Sequence, residues 1–90
     1  MRLSDAHERG QIHAYVMMTV SHKQAAAVIA AVRRLPAVRS LQSVSGSFDL
    51  IVRAVTPTVS EMDTLIDALG ALEGVSRTTS SIVLSTKIDR

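Results

Sequence analysis

"SVSGSFDLIVRAV", Ser43 to Val55, joins a glycine turn to a run that is apolar on both of its faces. In an extended chain, successive side chains point to opposite sides. Phe48, Leu50, Val52 and Ala54 then share one side, and Asp49, Ile51, Arg53 and Val55 share the other. An antiparallel sheet with one solvated face alternates apolar and polar more cleanly than this. The stretch therefore predicts a strand over 48–55, entered from a tight turn at Gly46-Ser47, with a second face that also needs cover.

Upstream of the turn, Val38 to Ser45 reads as a weaker, serine-rich strand. So short a link requires the two strands to be antiparallel. Earlier still, His13 to Val20 alternate, with Ala14, Val16, Met18 and Val20 on one side and Tyr15 and Met17 on the other. This is a second strand with two apolar faces. Ser21 and Gln24 have the spacing of a capping box. Ala25, Val28, Ile29, Val32 and Leu35 follow at helical spacing. Pro36 ends that helix, because the residue before a proline avoids the α region.

Downstream, Thr56-Pro57-Thr58 breaks the strand, and Thr58 with Glu61 forms a second capping box. Met62, Leu65, Ile66, Leu69 and Leu72 make a helical stripe. Gly70 falls inside that stripe, where a glycine costs about 1 kcal/mol. Gly74 fits a left-handed helix stop. Val75 to Thr86 predicts the last strand, apolar at Ile82, Val83 and Leu84.

The order β-α-β-β-α-β predicts an α+β, ferredoxin-like sandwich, a four-stranded antiparallel sheet with both helices on one face. Tyr15, Met17, Ile51, Val55 and Val83 then belong to the uncovered face. Burying one such side chain is worth ~1.5–3 kcal/mol. A second copy packed sheet to sheet, as in a dimeric α+β barrel, is the expected cover. Residues 1–12 are polar and mixed in charge and read as an N-terminal arm or leader; residues 13–90 read as the folded domain.

Composition narrows the function. The chain has 90 residues, enough for one small domain, and 47% of them are hydrophobic. Tyr15 and Phe48 are its only aromatics, so the core must be aliphatic. The absence of cysteine removes disulfides and thiolate chemistry and fits a reducing cytoplasm. No apolar run approaches the ~20 residues that span a bilayer, and the N-terminus lacks a secretory signal core. The pI is near 9.7, but the net charge is only +2. Basic residues are scattered, with Arg33-Arg34 the one adjacent pair, so no stripe suited to a phosphate backbone forms. RNA-recognition modules share this element order but stack bases on aromatics of the central strands. Here the strand F-D-L-I-V-R-A-V carries its aromatic at the turn.

Catalytic constellations are missing too. His7, His13 and His22 share no metal-binding spacing, and no cofactor or metal is expected. "SGSFD" joins two strands rather than forming a nucleophile elbow, and no phosphate-cradling glycine motif occurs. What remains is the turn Ser45-Gly46-Ser47-Phe48-Asp49 and the hydroxyl cluster Arg77-Thr78-Thr79-Ser80-Ser81. Read alone, the turn needs Gly46 for a positive φ and Asp49 for local backbone bonds. Read together, a carboxylate, turn amides and hydroxyls suit a small zwitterion, with Asp49 receiving its ammonium.

Three segments carry a family resemblance: Leu35-Pro36-Ala37-Val38, Val44-Ser45-Gly46-Ser47-Phe48-Asp49-Leu50, and Leu72-Glu73-Gly74-Val75-Ser76-Arg77-Thr78-Thr79-Ser80. In register, they resemble the effector-binding (RAM) domain of the Lrp/AsnC, or feast/famine, transcriptional regulators, over Ala14 to Lys87. The resemblance implies a βαββαβ sandwich that dimerises through its sheets and assembles further, into tetramers, octamers or decamers. It implies an amino-acid effector bound between dimers near Gly46, Ser47, Phe48 and Asp49, with Thr78, Thr79 and Ser80. Full-length relatives carry an N-terminal helix-turn-helix, whose place here is taken by residues 1–12. The resemblance is therefore to the stand-alone form, without direct DNA binding, with a full-length relative as a further partner in mixed assemblies. The expected function is amino-acid sensing linked to transcriptional regulation of amino-acid metabolism, without catalysis. The alternative from another class is a small dimeric α+β barrel enzyme, a monooxygenase or isomerase, using Tyr15, His13 and Asp49.

Overall fold

The structure, a computed structural model, describes residues 10–90. The expected N-terminal arm falls mostly outside the described residues, and the first strand, β1, begins at Ile12 and runs to Val20. It is followed by a 3-10 turn at His22–Gln24, α1 at Ala25–Arg33, β2 at Val38–Ser43, β3 at Leu50–Thr56, α2 at Val59–Gly70 and β4 at Val75–Ile82. The strands form one antiparallel sheet in the order β2-β3-β1-β4. This is the ferredoxin-like α+β arrangement, with the hairpin partners β2 and β3 on one side of β1 and β4 on the other.

The period of two in the strands sets the layers. Ala14, Val16 and Met18 of β1 pair with Ala54, Val52 and Leu50 of β3, and all six are buried. Val28 and Val32 of α1 and Met62, Leu65 and Leu69 of α2 close over them as one aliphatic cluster. On the opposite face Tyr15 pairs with Arg53, Met17 with Ile51 and His13 with Val55. Tyr15 is 41% exposed there, Met17 and Ile51 are half-buried, and Val55 is already buried within one chain. Val83 donates its N–H to His13 O at 2.8 Å, which extends the β4 pairing by one residue and keeps Val83 on this same face.

Several local expectations are corrected. The Ser21–Gln24 capping box does not form, since the Ser21 side chain makes no cap bond. The Ser21 N–H donates to Gly74 O at 2.7 Å, and the Gln24 N–H donates to Ser21 O at 3.0 Å, closing a 3-10 turn. Gly74 lies at φ +100, and a Cβ on it would fall 2.6 Å from the Gln24 Cβ, so the Gln24 side chain packs on Gly74 instead of folding back over Ser21. The second box does cap its helix: Thr58 Oγ1 accepts from the Glu61 N–H and donates to Glu61 Oε2, each at 3.1 Å. Gly70 is the last residue of α2 rather than an interior one, so most of its expected helix penalty does not arise. Leu72, beyond the helix end, still packs against the core.

The turn at Gly46-Ser47 is longer than a two-residue hairpin. β2 stops at Ser43 and β3 starts at Leu50, leaving a loop over 44–49 closed by the Val44 N–H on Asp49 O at 3.0 Å. Likewise, β4 ends at Ile82 rather than Thr86, and Leu84 is 94% exposed.

Candidate functional site

The 44–49 loop sits at the end of the sheet where β1 turns into the 3-10 segment. Gly46 lies at φ +110 with open space where a Cβ would point, so backbone conformation and not crowding demands glycine there. The Asp49 N–H donates to Met18 O at 2.9 Å, one step past the last β1–β3 pair. Its carboxylate Oδ2 accepts the Val20 N–H at 2.9 Å. That bond supplies a partner at the point where the β1–β4 register shifts, between Thr19 and Val20, and the ladder cannot serve every group. Half of the Asp49 carboxylate is therefore structural, and Oδ1 meets no partner among the described residues.

Across β1, the same end of the sheet receives β4. Arg77 pairs with Thr19, and the Ser76 hydroxyl donates to Thr19 O at 3.3 Å. Phe48 reaches from the loop to this strand, and the Arg77 Cζ stands 4.9 Å from its ring centroid, a cation–π contact. Thr19 Oγ1 is buried and unbonded among the described residues.

The expected hydroxyl cluster is divided between the two faces. Thr79 pairs with Met17 and so shares the open face with Arg77. Thr78 and Ser80 pair with Met18 and Val16 and so face the helix layer, where Thr78 approaches Gly70 of α2. Within one chain, then, Thr79 shares the open face with Arg77, which meets Phe48 of the loop, and Thr78 and Ser80 face the other way. Arg77, already part of the cluster read from the sequence, and Thr19, which sequence reasoning left out, share the open face with Thr79. Their signal was parity: Arg77 has the same strand phase as Thr79.

This surface is open. Gly46, Ser47 and Asp49 are all exposed. A hollow of about 260 Å³ lies elsewhere, between Ile29, Val32 and Arg33 of α1 and Val38 to Leu41 of β2, and none of the expected ligand residues lines it. Small-molecule sites enclose most of their ligand, so a site at the 44–49 loop needs a second wall. Among the described residues no group of His, Cys, Asp or Glu is placed to hold a metal ion, and no helix is long and apolar enough to cross a membrane.

One sheet face covered by both helices and one left open define a ferredoxin-like sandwich of the α+β class. Residues 13–90 match the Lrp/AsnC ligand binding domain, and the chain belongs to that family. No curated protein matches the chain. Among solved structures it is similar to TTHA0845 from Thermus thermophilus, at 28% identity over 87% of this chain and 99% of that one, with a TM-score of 0.79. It is also similar to Escherichia coli AsnC, at 16% identity, TM-score 0.85, covering all of this chain but 62% of AsnC. The Neisseria meningitidis transcriptional regulator NMB0573, solved as a complex with L-Met, matches at 24% identity over 99% of this chain and 59% of its own, with a TM-score of 0.79. The chain thus spans about three fifths of the regulators and nearly the whole of the Thermus protein.

Proposed function

We propose that this protein is an oligomeric amino-acid sensor that acts in transcriptional regulation and has no catalytic role. The observation that carries the reading is the Asp49 carboxylate, held by the Val20 N–H at 2.9 Å with its other oxygen open toward the loop surface. A fixed carboxylate beside turn amides suits an α-ammonium. The ligand site comprises Gly46, Ser47, Phe48, Asp49 and Thr79 of one chain, with Thr78 and Ser80 offered from the other face of the sheet to a neighbouring copy. The dimer forms through the open face, at Tyr15, Met17, Ile51 and Val83, with Val55 as a buried underlayer. The family membership and the L-Met complex of the Neisseria regulator support an amino-acid effector. A cytoplasmic location follows from that role.

In this reading the chain does not itself read DNA, which is supported by its scattered basic residues and a net charge of only +2. Control is exercised through assembly, alone or with a full-length relative. The test is a thermal-shift screen with the proteinogenic L-amino acids, followed by sedimentation of the protein with and without the best one. A ligand that binds the folded state raises the melting temperature, and an interfacial ligand shifts the oligomer distribution. A flat screen would overturn the sensor reading, and tight sequence-specific binding of duplex DNA by this chain would overturn the division of labour.

A further inference from the structure

We propose that Arg77 is the carboxylate anchor of this site, so that the ligand is clamped as a zwitterion between Arg77 and Asp49 across the end of β1; the inference rests on the amino-acid reading above. Arg77 lies on the β4 side of Thr19, its direct cross-strand partner. Asp49 lies on the β3 side of the next residue, holding the Val20 N–H. A fixed anion and a cation therefore flank one pair of β1 residues, on the two strands that border it.

The two charged groups come to the same end of the sheet. The Arg77 guanidinium and the Phe48 ring meet there, and Phe48 is the chain neighbour of Asp49. The Arg77 side chain is already oriented for this. Its guanidinium Cζ stands 4.9 Å from the Phe48 ring centroid. A guanidinium in such a contact with a ring has further N–H donors for a planar, bidentate acceptor. Among the described residues no carboxylate takes that place.

Two further features favour a zwitterion over a simple anion. The Asp49 carboxylate beside the site repels a phosphate or sulfate but complements an ammonium. Thr19 Oγ1, on the same face as Arg77 and between the two charges, is buried with no partner among the described residues.

The experiment compares the proteinogenic L-amino acids with their C-terminal carboxamides, in thermal-shift and calorimetric titrations of the wild type, Arg77→Gln and Arg77→Lys. Arg77 is exposed, so all three proteins should melt at nearly the same temperature. The wild type should prefer the best free amino acid over its carboxamide by about 10- to 100-fold, the worth of a charge-assisted bond. Arg77→Gln should bind the two forms alike, and Arg77→Lys should keep part of the preference, since it retains the charge but loses the planar fork. If Arg77→Gln keeps the full preference, another group holds the carboxylate and this inference fails while the sensor reading stands. If no amino acid binds the wild type, both fail together.

Discussion

Asp49 Oδ2 accepts the backbone N–H of Val20 at 2.9 Å, between residues 29 apart along the chain. One carboxylate thus ties the 44–49 loop to the strand that carries the centre of the sheet, at the point where the β1–β4 register slips. The same side chain serves the fold with one oxygen and faces the open surface with the other, and two substitutions separate these roles. Asp49→Asn keeps a carbonyl oxygen for Val20 and removes the charge. Its stability should stay close to wild type, while affinity for the best amino acid falls about tenfold or more. Asp49→Ala removes both, and should add a loss of about 0.5–1.5 kcal/mol in urea denaturation. Equal ligand affinity in wild type and Asp49→Asn would reduce Asp49 to a loop residue.

Assembly through the open face is tested at Ile51. Its side chain is half-buried beside Met17, its direct partner on β1. Ile51→Glu places a charge where a second sheet would exclude water, at a cost of several kcal/mol in the dimer. Light scattering should show at least a dimer for the wild type and a monomer, or a dimer weakened at least a hundredfold, for Ile51→Glu. A wild-type monomer at micromolar concentration would remove the case for sheet-to-sheet packing.

The two positive-φ glycines near the site should respond unequally to alanine. At Gly46, φ +110, a Cβ meets nothing, and Gly46→Ala should cost about 1–2 kcal/mol for backbone conformation alone. At Gly74, φ +100, the Cβ falls 2.6 Å from the Gln24 Cβ, so overpacking adds roughly 1–3 kcal/mol to that. Denaturant midpoints should rank wild type, then Gly46→Ala, then Gly74→Ala. The reverse order would mean that the contact between Gly74 and Gln24 is easily relaxed.

Capping provides a paired control. Thr58 Oγ1 accepts from the Glu61 N–H at 3.1 Å, so Thr58→Ala should destabilise by about 1 kcal/mol. Ser21 has the same local sequence pattern but no cap bond, so Ser21→Ala should lie within about 0.5 kcal/mol of wild type in the same denaturation series. A Ser21→Ala loss as large as that of Thr58→Ala would show that Ser21 does cap in solution.

The element order and the layering could be read from the sequence because both rest on local periodicity. A strand must alternate, so Ala14, Val16, Met18, Leu50, Val52 and Ala54 announced the covered face, and Tyr15, Met17 and Ile51 the open one. Thr58 and Glu61 announced a cap because every group in that motif lies within one turn. The glycine–aspartate loop was visible as a candidate site for the same reason. Where local patterns compete with distant contacts, the sequence could not decide the outcome. Ser21 and Gln24 spell a capping box, yet Gly74 takes the Ser21 N–H and the packing surface of Gln24. Thr78, Thr79 and Ser80 are consecutive, but the pleat sends Thr79 to one face and its neighbours to the other. The stacking of Arg77 on Phe48 and the bond from Val20 to Asp49 join strands brought together only by the order β3-β1-β4. Pairing across a sheet depends on the whole chain having folded, so which residues meet at the end of β1 was decided by tertiary structure, and only the loop by sequence.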